Sequence, residues 1–166
     1  MMLNKKLIIP FSVLALLVAS RLIPHPPNFT PVIAIAVMCS YFFKNKYISL
    51  SVLFLSMFLS DVFIGFYQNM YVVYLSLLLI VYFFSIVKNK ITSKNLFIFC
   101  FIGSLIFFLV SNFGVWAFGG MYEKNFDGLI YCYFLAIPFF TNTFLSTVFF
   151  SYVALFSYNG CYKKFT

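Results

Sequence analysis

Long apolar runs broken by short polar segments set the pattern of this chain. A helix that crosses the hydrocarbon layer of a membrane needs about 20 apolar residues, with roughly 17 to 25 tolerated. Breaks at Pro, Gly, Asn and charged residues leave six such runs. They predict helices over residues 7–22, 31–43, 47–64, 70–87 and 96–116. A longer run over 128–158 is interrupted by Pro138, which predicts a short helix followed by a full one. The second run is short for a span and calls for tilt or for shielding by its neighbours. With no repeat, low-complexity tract or soluble stretch, residues 1–166 read as one integral membrane domain: an all-α bundle of six transmembrane helices.

Composition excludes the soluble alternatives. The chain is 64% hydrophobic and 8% charged, whereas a soluble domain carries roughly a quarter charged residues. A net charge of +8 would suit nucleic acid if it formed a patch, but the lysines stand between apolar runs, where they set orientation instead. No nucleic-acid partner is expected. With the N-terminus cytoplasmic, Lys5, Lys6, Lys44, Lys46, Lys88, Lys90, Lys94, Lys163 and Lys164 all lie inside, leaving only Arg21 and Lys124 outside. That asymmetry predicts a multi-pass protein of a bacterial cytoplasmic membrane with both termini cytoplasmic. Residues 1–20 also fit a signal peptide, since Lys5 and Lys6 precede an apolar core and a V-A-S end.

All three acids, Asp61, Glu123 and Asp127, then fall toward the outer side. So does the segment SRLIPHPPNFTPV, residues 20–32, which carries the chain's single histidine. Pro24, Pro26 and Pro27 make it stiff and extended. Pro31 suits the first turn of the next helix, with Thr30 as its N-cap. Ionisable groups at membrane depth are costly, so Asp61 and Arg21 are expected to face a cavity or each other. The plain reading is a staple between two helix ends; the functional one is a ligand pocket edged by Arg21, His25, Asn28, Asp61, Asn112 and Trp116. His25 equally suits a helix-capping role.

Catalysis has little to draw on. Neither G-x-S-x-G nor H-E-x-x-H occurs, and Ser60 and Ser111 read as helix-packing hydroxyls. Cys39, Cys100, Cys132 and Cys161 show no C-x-x-C spacing, so no metal site is expected. Ala15 and Ala19, four apart on the first helix, permit close approach by another helix, although such pairs are common by chance.

The runs RLIPHPPNFTPV, LSDVFIGF, SNFGVWAFGGMY and IPFFTNT together resemble a family of small uncharacterised bacterial membrane proteins. That family in turn resembles the substrate-binding S-components of energy-coupling-factor vitamin transporters, in particular the solitary BtuM-type cobalamin transporters. The resemblance implies a six-helix S-component fold and a vitamin, cobalamin among the candidates, captured from the outer face as transported ligand rather than cofactor. It implies that Ala15 and Ala19 dock a coupling subunit that works with ATPases, and that His25 lies near a bound corrinoid. It also implies a cobalt-ligating cysteine near the start of the fourth helix, where this chain has Ser76 instead. Cys132 is the one cysteine in an outer half, and it is not expected to take that role. Three readings follow: a small-molecule importer, a structural or assembly subunit without a ligand, and a membrane enzyme acting through His25.

Overall fold

The computed structural model describes the backbone over residues 5–43, 45–87 and 91–165, and side chains over 12–38, 41–43, 45–87 and 91–157. Six helices occupy these residues: α1 (Lys5–Leu22), α2 (Val32–Phe43), α3 (Lys46–Ile64), α4 (Met70–Ile86), α5 (Ser93–Phe118) and α6 (Phe126–Phe165). Local chemistry sets their ends. The Asn45 side chain accepts from the Tyr47 N–H at 2.9 Å to open α3, and Gly65 closes it at φ 103°, a value that favours glycine. Thr92 and Asn95 form a reciprocal capping box at the start of α5. Asn125 opens α6, its side chain accepting from Gly128 N at 2.7 Å and its carbonyl from Leu129 N at 3.1 Å. At α2 the first carbonyl to accept is that of Pro31, from Ile35 N, which puts the cap one residue beyond Thr30.

Among the described residues, three helices are long and apolar enough to cross a membrane: Lys46–Ile64, Ser93–Phe118 and the Phe126–Ser157 part of α6. Their lipid-like character shows on the outside, where Phe58, Phe63, Phe134, Phe149 and Phe156 are exposed. The short α2 has a different role. It touches α3, α4, α5 and α6, and Ala34, Ala36, Val37 and Met38 are fully buried. At 12 residues it is about 18 Å long. Its neighbours shield it, so lipid does not set its length. By contrast, α1 lies at the edge, packed chiefly on α3.

The expected division at Pro138 does not occur: α6 is one helix of 40 residues with Pro138 inside it. Proline removes one backbone hydrogen bond, a loss that membrane helices tolerate when neighbours hold them. Contacts with α5 straddle the proline. The Tyr133 hydroxyl donates to Leu109 O at 2.7 Å on one side, and Phe140 meets Phe108 at 5.1 Å between ring centroids on the other.

Candidate functional site

Arg21, in the last turn of α1, reaches across to α3. Its Nη2 lies 2.7 Å from Asp61 Oδ1, and Asp61 has no exposed surface. Its Nη1 donates to the Met57 carbonyl and to Ser60 Oγ. The other Asp61 oxygen accepts from the Tyr74 hydroxyl of α4 at 2.7 Å. Tyr67, in the turn between α3 and α4, completes the group. Partial burial pushes its hydroxyl above the usual 10.0, the Asp61 charge adds to that, and Arg21 opposes it. The pair therefore ties α1, α3 and α4 together at one end of the bundle, with both charges internally partnered.

The described residues also line a half-open cavity of about 180 Å³ between the α1–α2 loop, α4, α5 and α6, with Asn28 and Phe139 exposed at its rim. Its polar lining is Asn28, Ser111, Asn112 and Thr143. Phe107 and Phe108 of α5 face it together with Phe139 and Phe140 of α6, and Val73 and Val115 complete the wall. Helix α6 holds the loop in place. Asn142 donates to the Pro27 carbonyl at 3.2 Å, while Ser146 Oγ, which donates to the Thr143 carbonyl at 2.9 Å, lies 3.4 Å from the Asn28 carbonyl. Asn28 takes the left-handed conformation, φ 61°, that Asn tolerates better than most residues.

The six expected pocket residues thus occupy several places. Asn28 and Asn112 line the cavity; Arg21 and Asp61 form the buried pair. His25 is exposed on the loop, where Nδ1 lies 2.9 Å from the Pro26 carbonyl. Trp116 holds the α5–α6 loop, donating from Nε1 to the Glu123 carbonyl at 2.9 Å. Lys124 works beside it, donating to the carbonyls of Trp116 and Gly119 at the C-terminal end of α5, where a cation suits the helix dipole. Cys132 is buried, its Sγ 3.5 Å from the Asn112 carbonyl. Cys39 and Cys161 lie outside the described side chains. Among the described residues, no three His, Cys, Asp or Glu side chains converge on one point. Ala15 and Ala19 are both exposed, so neither packs into this chain's own core.

A family model matches residues 1–166, the entire sequence, and its description is a family of unknown function, DUF6580. The chain belongs to DUF6580. No curated protein matches it, and no solved structure does. In this DUF6580 member the sequence reading missed Ser111 as a lining residue, along with Thr143 and the four phenylalanines. Ser111 reads as a packing hydroxyl because it does bond its own helix, donating to Phe107 O at 2.7 Å. The available signal was the F-F pairs at 107–108 and 139–140, each followed three or four residues later by a hydroxyl. Such pairs are hidden in a chain with 26 phenylalanines.

Proposed function

We propose that this protein is a membrane importer of a small molecule, binding its ligand in the cavity between α4, α5 and α6 in the manner of an S-component. All six helices cross the bilayer in this reading, the shorter ones α1, α2 and α4 completing the bundle. The termini are cytoplasmic, the membrane is the bacterial inner membrane, and the loops after α1, α3 and α5 face outward. One observation carries the proposal. The largely apolar wall with a few placed amides and hydroxyls is the composition ligand sites usually show. The exposed Ala15 and Ala19 supply a close-approach face for a coupling subunit with its ATPases.

A corrinoid would need this cavity remodelled, because sites for drug-sized ligands run from roughly 300 to 1,000 Å³ and the cavity measures about 180 Å³. The uptake reading is therefore carried here for a smaller solute. No step alters the ligand, and no chemistry is assigned to His25. The buried Arg21–Asp61 ion pair favours a second reading, a structural subunit in which polar residues only tie helices together.

Mass spectrometry of small molecules retained on the detergent-purified protein separates the two. A single solute that is retained by the wild type and lost from Asn112→Leu, with the melting temperature kept, supports import. Its absence from every preparation, including one incubated with cell extract, supports the structural reading.

A further inference from the structure

The lining of the cavity narrows what can bind there, an argument that rests on the uptake reading above. None of its ten lining residues is ionisable. An ion drawn from water into such a site meets no counter-charge, and the cost rises steeply as the local dielectric falls. Size is the second constraint. A volume of about 180 Å³ is only slightly above the roughly 150 Å³ apolar cavity that takes up benzene. One six-membered ring with small substituents fills it. Phenylalanine faces from α5 and α6 suit a flat π-system, which gains from edge or offset contact with them.

Hydrogen-bond accounting supplies the third constraint. Ser111 Oγ gives its proton to the Phe107 carbonyl at 2.7 Å, and Thr143 Oγ1 gives its proton to the Phe139 carbonyl at 2.8 Å. Asn112 Nδ2 spends one of its two N–H groups on the Phe108 carbonyl at 2.8 Å. Asn28, the fourth polar lining residue, adds a carboxamide with two N–H groups and one acceptor oxygen. The four side chains together still offer more acceptor than donor capacity: lone pairs on Ser111 Oγ, Thr143 Oγ1, Asn112 Oδ1 and Asn28 Oδ1, against one N–H of Asn112 and two of Asn28. The wall asks for a guest that brings protons.

We propose that the cavity binds a neutral, flat, single-ring heterocycle that donates two or more hydrogen bonds, the size of a nucleobase or of a pyridine carboxamide. Charge, size and donor count independently point to that class.

Equilibrium dialysis of the detergent-purified protein at neutral pH tests it with labelled nicotinamide, cytosine and uracil. Nicotinate serves as the charged partner of nicotinamide with the same ring, and cyanocobalamin as an oversized control. At least one neutral ring should bind, and nicotinamide should bind at least about tenfold tighter than nicotinate if it is that one. Cyanocobalamin should not displace the bound ring. Thr143→Val and Ser111→Ala should each weaken binding roughly three- to tenfold, the loss expected for one hydrogen bond, with the melting temperature kept. Binding of none of the three rings overturns the proposal, as does nicotinate binding as well as nicotinamide. The retained-solute experiment distinguishes this failure from failure of the uptake reading. A large or charged solute found there would sink only the ligand class, whereas no solute in either experiment would sink both.

Discussion

Asp61 is fully buried with Arg21 on one oxygen and Tyr74 on the other, and an arrangement of this kind has two energetic faces. The pair as a whole contributes little net stability, because desolvating two charges offsets most of their attraction. Either charge alone is costly, since the survivor stays buried without a partner. Asp61→Ala should therefore destabilise the protein by about 3–5 kcal/mol. The double variant Arg21→Met with Asp61→Leu should recover most of that loss. Denaturation in detergent across the double-mutant cycle measures both. A double variant as unstable as the single one would show that the pair does more than join helices. This contact was legible in the sequence, because the single arginine and Asp61 both stand within apolar helical runs near the same end, where a charge has few other partners. The cavity was not. Its polar groups are Ser, Thr and Asn, which in a membrane helix usually satisfy themselves on their own backbone, as Ser111, Asn112 and Thr143 do. That they also share a wall depends on the relative rotation of α5 and α6, which no local pattern encodes.

Among the helices, the tightest constraint lies where α5 crosses its neighbours. A Cβ placed on Gly114 would overlap the Val72 side chain of α4, and one on Gly103 would stand 2.5 Å from Val37 Cγ2 of α2. Small residues at such crossings let two backbones approach, and dispersion contacts then replace the absent side chain. Gly114→Ala should destabilise by roughly 1–3 kcal/mol, the usual cost of overpacking, even though alanine is the better helix former. Pairing it with Val72→Ala should restore part of the loss. Thermal melts of the two singles and the double test this, and purely additive losses would remove Val72 as the obstacle. Apart from the C-terminal end of α6, which runs to Phe165 rather than 158, helix ends were readable to within about three residues because the breaks are chemically sharp: Asn45 before α3, Gly65 after it, Thr92 before α5. The error at α6 has a tertiary cause. Pro138 ends a helix only where nothing holds the two halves in line, and here α5 does so through Leu109 and Phe108.

For the whole molecule, alternating helices put the chemistry at one end. Arg21 meets Asp61, Tyr71 meets Phe118 at 5.6 Å, and Lys124 caps α5, so the segments after α1, α3 and α5 come together. Lys46 and Lys94 open α3 and α5 at the opposite end, and the Tyr152 hydroxyl donates to Ser93 O there at 2.7 Å. All three acids and the cavity thus share one half, and the described lysines other than Lys124 share the other. The uptake reading puts the lysine-bearing end in the cytoplasm, as the positive-inside rule expects. Single cysteines placed in a background with all four native cysteines replaced should report this directly. With intact cells, a membrane-impermeant maleimide should label His25→Cys and Glu123→Cys and leave Lys94→Cys untouched until the cells are opened. The reverse labelling pattern would place Asn28 and the cavity at the cytoplasmic end, and a ligand would then reach them from inside. Outward capture, and with it the importer reading, depends on this orientation more than on any single residue of the site.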